Sequence, residues 1–156
     1  MKLTPAQFRD VLGISQETLR HWRKVLPIFT ERSGYAPIFR ASDLVAGAVI
    51  KMLKDCWGIS VSAFADQSVA IGQVCNDTPW STLAVSSLVI SLDDKSCELV
   101  SADATLAIDQ ARLIVPLTPV VSEITRRLLQ DRNDPQQPIH FPPTEVKPAR
   151  RKRGTR

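Results

Sequence analysis

The chain has 156 residues, enough for one sizeable core or two small ones, and its 44% hydrophobic and 23% charged residues are ordinary globular proportions. No apolar run is long enough to span a bilayer, and the opening residues lack an apolar stretch of signal-peptide length, so a cytoplasmic protein with no membrane contact is expected. The net charge of +4 is segregated: residues 1–57 hold nine Lys/Arg against five Asp/Glu, 58–138 five against ten, and 139–156 six against one. Two basic ends around an acidic middle suggest two regions that face a polyanion and one with another task.

Three regions follow from pattern and composition: 1–76, mostly helical; 78–132, where the period changes after the Asp77-Thr78-Pro79 turn signal; and 133–156, which holds five prolines and few apolar residues and is expected to be disordered. The fold class expected is α+β, with a helical N-terminal unit followed by a small segment of two or three strands and a helix.

In the first region Thr4-Pro5 is an N-cap with proline at the first helical position. Phe8, Val11 and Leu12 then form one apolar stripe, and Gly13 supplies the left-handed residue that ends the helix. Ser15 caps a second helix with Glu17 in its first turn. Leu19, Trp22 and Leu26 should face the core. Gln16, Arg20, Arg23 and Lys24, spaced i, i+4, i+7 and i+8, stand opposite with no acidic member. Such a face gains free energy on a duplex by releasing condensed counterions. Gln16, near the helix start, is placed for a base edge, and the three cations for phosphates. A solvated basic surface is the alternative reading of the same stripe.

Residues 27–40 break the helical period. Arg32, the turn Ser33-Gly34-Tyr35, Pro37 and Ile38-Phe39 suggest two short strands around a tight turn. Ser42 is expected to cap a third helix from Asp43, apolar on most sides through Leu44, Val45, Ala48, Val49, Met52, Leu53 and Cys56. Gly58 and Ser60 separate it from a fourth helix over about 61–75.

The run Gly13-Ile14-Ser15, followed by Thr18-Leu19-Arg20-His21-Trp22, resembles the signature of MerR-type winged helix-turn-helix proteins. Arg32, Gly34-Tyr35, Phe39 and Asp43-Leu44 resemble that family's wing and next helix, and the likeness covers roughly the first 65 to 75 residues. It implies that Ser15, Thr18, Arg20 and His21 lie against double-stranded DNA, with Arg20 on a phosphate and His21 replacing an aromatic at the backbone. It also implies that Arg32 and Tyr35 grip a neighbouring phosphate or groove. Where the family has arginine after Gly-Tyr this chain has Ala36-Pro37, and Arg40 is the candidate to supply that charge.

The second region offers apolar strand-like runs at Leu88-Val89-Ile90-Ser91-Leu92, Cys97-Glu98-Leu99-Val100 and Arg112-Leu113-Ile114-Val115-Pro116-Leu117. A helix is expected from near Thr118-Pro119, carrying Val120, Val121, Ile124, Leu128 and Leu129. So few elements bury little surface alone, so docking on the first region, self-association or a protein partner is expected. No long heptad pattern matches the pairing helix by which full MerR regulators dimerise.

The remaining chemistry is sparse. Asp93, Asp94, Asp103 and Asp109 lack calcium-loop spacing and read as solvated turns. Cys56, Cys75 and Cys97, odd in number and far apart, read as small apolar core residues rather than a disulfide or zinc framework. The two histidines, His21 and His140, have no nucleophile-and-acid context, and all six glycines are isolated, so neither an enzyme nor a cofactor is expected. The tail's basic run, Lys147 with Arg150-Arg151-Lys152-Arg153, suits non-specific attraction to nucleic acid. Three functional readings stay open: a transcriptional regulator, dimeric or not; a mobile-element excisionase or packaging-type recruiting protein; and an adaptor that has lost DNA binding.

Overall fold

The computed structural model describes residues 2–30, 38–91, 93–105 and 111–133, with side chains to 130. Arg32, Tyr35, the expected turn at Ser33–Tyr35, Asp109, His140 and the basic tail lie outside the described residues. Along the chain run β1 (Lys2–Leu3), α1 (Pro5–Leu12), α2 (Gln16–Val25), α3 (Pro27–Thr30), β2 (Phe39–Arg40) and α4 (Ala41–Trp57). A 3-10 turn (Val61–Phe64) leads into α5 (Ala65–Asp77), α6 (Trp80–Leu83), β3 (Ser86–Ser91), β4 (Cys97–Ser101), β5 (Arg112–Pro116) and α7 (Leu117–Asn133). The class is α+β: helices with two small antiparallel sheets.

The caps of the first two helices form as the sequence indicates. Thr4 Oγ1 accepts from Gln7 N (3.2 Å), and Gln7 Oε1 accepts from Thr4 N (3.0 Å), a reciprocal pair that satisfies two helix-end donors. Gly13 closes α1 at φ 63°, a region costly for a residue with a Cβ. Two residues later Ser15 Oγ accepts from Thr18 N (3.0 Å) and opens α2.

The segment after α2 departs from expectation. Pro27 does not begin a strand; its fixed φ suits the first position of a helical turn, and α3 places Phe29 in the core. The strand Phe39–Arg40 pairs antiparallel with Lys2–Leu3 at the start of the chain, with Ile38 N donating to Leu3 O (3.1 Å). α4 begins at Ala41, two residues earlier than expected. Its first turn is held by Asp43, whose Oδ2 accepts from Arg40 N (2.7 Å), and not by Ser42. The Ser42 hydroxyl instead donates to Asn76 Oδ1 and ties the start of α4 to the end of α5.

Phe8, Trp22, Phe29 and Phe39 are all 1% exposed or less and form one aromatic cluster. Phe8 stacks on Phe39 at 4.0 Å between centroids, and Phe29 meets Phe8 edge-on at 5.6 Å. Contacts of this kind contribute about 0.5–1.5 kcal/mol each beyond simple burial. α4 is the central helix and touches α1, α5, α7 and β2. Its Gly47 lies where α1 comes closest: a Cβ there would stand 2.8 Å from Leu12 Cδ1 and 3.1 Å from Phe8 Cζ.

The second sheet has the order β4-β3-β5, all antiparallel. Leu88 is opposite Leu99 on one side and Val115 on the other, and Ile90 is opposite Cys97 and Leu113, so one face is apolar. α7 packs on β3, α1 and α4. One hydrophobic cluster runs from Leu3 to Ile124, so the core is continuous across the boundary read at residue 77, and the second region docks on the first. Of the apolar residues that α7 carries, Val120, Val121 and Ile124 are buried and Leu129 is 56% exposed. Cys56 is also exposed, near the end of α4, whereas Cys75 is buried and Cys97 packs against the core. No helix among the described residues is long and apolar enough to cross a membrane.

Candidate nucleic-acid interface

α2 is anchored from one side only. Leu19 and Trp22 are 3% and 1% exposed, and Leu26, just past the helix, is fully buried. Away from that face Gln16, Arg20, His21 and Lys24 are exposed, and Thr18 and Arg23 are half-buried. Four residues of this helix read as a polar stripe in the sequence thus flank its buried edge in space.

The cations of this face, like Lys2 and Arg40, differ from several elsewhere in how they are compensated. Lys51 pairs with Asp55 (2.6 Å), Lys95 with Asp66 (2.6 Å), Arg112 with Glu98 (3.3 Å), and Arg126 and Arg127 both with Glu123 (2.7 and 2.6 Å). Arg9, Arg20, Arg23 and Lys24 form no such ion pair with any carboxylate among the described residues. Glu17 is the carboxylate that feels Arg20 and Arg9. It is held below the usual carboxylate range first by its own backbone N–H, then by the Ser15 hydroxyl, then by those two arginines. Lys24, with Arg23, stands in the last turn of α2, where a cation complements the helix dipole.

Arg23 is the unusual member. Its guanidinium lies over the Phe39 ring, 5.6 Å from the centroid, an attraction of order 0.5–2 kcal/mol. Its Nε and Nη2 are shut off from water and have no hydrogen-bond partner among the described residues, and burial lowers its pKa from the usual arginine value. Charged donors left dry and unpaired carry a desolvation cost of roughly 1–3 kcal/mol or more.

The ten residues singled out by the sequence do not form one site. Gln16, Arg20 and Arg23 line an open groove of about 380 Å³ between α2 and the start of α1, together with Thr4 and Arg9. Thr18 and His21 line a second groove, of about 450 Å³, facing Lys54, Ser60 and Ser62. Ser15 is taken up as the cap of α2, its Oγ also 3.1 Å from Thr18 Oγ1. Arg40 is exposed on β2 and lines a third groove with Lys2, Asn76 and Trp80. Arg9 was not legible as a site residue: on α1 it follows the buried Phe8, and nothing in its spacing shows that this flank faces α2. Lys54, Ser60 and Ser62 were missed for the same reason.

Among the described residues no group of three or more His, Cys, Asp or Glu side chains is arranged to hold a metal ion. Comparison with protein-family models, with characterised proteins and with solved structures finds no match.

Proposed function

We propose that this chain is a DNA-binding protein of the MerR-like winged helix-turn-helix type, acting in the cytoplasm on the nucleoid as a transcriptional regulator, with α2 as its recognition helix. One observation carries the reading: Arg20 and Lys24 of α2 lie away from its anchored face without carboxylate partners among the described residues, while Lys51, Lys95, Arg112, Arg126 and Arg127 are paired. A surface of that kind is completed by a polyanion. Gln16, in the first turn, is the base-edge reader, and Arg20 and Lys24 hold phosphates on either side. The left-handed Gly13, the Ser15 cap and the β1–β2 pairing support the likeness drawn from the sequence, in which Arg32, Tyr35 and Arg40 belong to the wing.

The test is titration of labelled duplexes by fluorescence anisotropy over a range of KCl concentrations. Arg20→Ala should weaken binding and lower the slope of log K against log salt by about 1. Unchanged affinity and slope would overturn the assignment of α2.

A second reading, a recruiting protein of the excisionase or packaging type, is favoured by α7. That helix packs back on α1 and α4, and among the described residues no helix exceeds the 17 residues of α4 and α7. A pairing helix of the kind that joins full MerR regulators is not present among them. Light scattering separates the two: twice the chain mass supports the regulator, and the mass of a single chain supports recruitment.

A further inference from the structure

We propose that the groove between α1 and α2 is a built phosphate-binding site in which Arg9 and Arg23 join Arg20 around a single phosphate group. The inference rests on the duplex reading only for the source of that phosphate; the site itself stands on its own chemistry.

Three arginines from two helices, Arg9, Arg20 and Arg23, line one open groove of about 380 Å³. A water molecule occupies about 30 Å³ in the liquid, so the groove has room for a phosphate group with its flanking atoms and several waters. Arg9, Arg20 and Arg23 have no paired carboxylate among the described residues, and an anion in the groove supplies the missing countercharge. Arginine is the side chain whose planar fork matches phosphate oxygens two at a time. The start of α1 forms the rim of the groove at Thr4, Pro5 and Ala6 and adds the positive end of a helix dipole.

Arg23 gives the site its direction. Its guanidinium rests on Phe39 with Nε and Nη2 dry and unpaired among the described residues. Those donors do not face the groove as it stands, and a phosphate there meets them only when the Arg23 side chain turns from the ring. Arg9 puts α1 on the same phosphate as α2, so a duplex bound in this way is fixed against two helices instead of one. Gln16 on the wall of the groove is then set at a constant distance from the clamped phosphate.

The experiment uses the full chain and two probes, inorganic phosphate and a short duplex, read at constant ionic strength by NMR of the arginine Nε–Hε signals, with duplex affinity measured separately over a range of KCl concentrations. The expected result is a saturable shift of the Arg9 and Arg23 signals with each probe. Arg9→Gln should abolish the phosphate response and lower the duplex salt slope by about 1, equally for all sequences. Shifts with phosphate in a chain that binds no duplex would sustain the site and sink the DNA reading. Shifts with phosphate alongside duplex binding untouched by Arg9→Gln would sustain the site with free phosphate as its ligand. Silent Arg9 and Arg23 signals with both probes would overturn the proposal, and duplex affinity retained through Arg20 and Lys24 would leave the function of α2 standing. Far-UV circular dichroism of each variant checks that the fold persists.

Discussion

Arg127 Nη1 donates a hydrogen bond to the carbonyl oxygen of Val11, 2.9 Å away and 116 positions earlier in the chain. Val11 belongs to the last turn of α1, whose carbonyls have no partner within their own helix. The same Nη1 would stand 3.2 Å from a Cβ at Gly13, and Nε of Arg127 is held by Glu123 at 2.6 Å. The C-terminal helix thus caps the turn that leads into α2.

Arg127→Ala should therefore loosen that turn. The side chain is 38% exposed, so water screens part of the interaction, and the expected cost is about 1 kcal/mol. A lower urea midpoint with an unchanged m-value checks it, and Arg127→Lys should recover part of the loss.

Gly13→Ala tests the turn from its other side. With φ at 63° a Cβ is strained by roughly 1–2 kcal/mol, and here it also meets Arg127 Nη1. Gly13→Asn should cost less, since asparagine tolerates this region better. The order glycine, asparagine, alanine in melting temperature is the expected outcome.

Arg23→Met should separate stability from binding. Methionine keeps an apolar stem over Phe39 and removes the two dry, unpaired nitrogens. Stability should stay level or rise by up to ~1 kcal/mol while duplex affinity falls, because replacing poorly compensated buried charge with apolar atoms is often neutral or favourable. A fall in both would show that the guanidinium supports the fold.

Acid should release the Glu123 cluster. Hydrogen bonds from Arg126 and Arg127 hold the Glu123 carboxyl at about 2, below its ordinary 4.5. A depressed carboxylate stabilises the fold above its unfolded value, and that stabilisation is lost as pH falls from about 4.5 to about 2. Glu123→Gln should accordingly be less stable than the parent at pH 6, with the gap closing by pH 2 in urea titrations.

The thiols should divide one against two. Burial, first of all, pushes Cys75 and Cys97 up to about 12, and the thiolate is the reactive form. Cys56 is exposed. A thiol reagent at pH 8 should consume one equivalent quickly and the other two only after denaturation.

The sequence made local grammar legible and left packing partners hidden. Thr4, Gly13 and Ser15 act through atoms within three or four residues, so the ends of α1 and α2 could be read directly. The apolar runs marked β3, β4 and β5 as strands, and the central strand β3 is buried on both faces at Leu88, Val89 and Ile90. Lys2–Leu3 gave no such signal: two residues show no period, and their partner lies at Phe39–Arg40. Pro27 and Pro79 break the sequence pattern, yet each introduces a helical turn. Arg23 read as surface because the pattern records a charge and not the ring beneath its stem. Arg9 needed the approach of α1 to α2, which only the folded core supplies.

Gly47 performs no chemistry, yet the clearance between α4 and α1 depends on its lack of a side chain. In an alignment of relatives, position 47 should favour small residues on steric grounds alone. It could outrank the very arginines and glutamine that meet a ligand. Weight given to such a column in ranking functional positions would point to a close crossing in the scaffold, not to its binding surface.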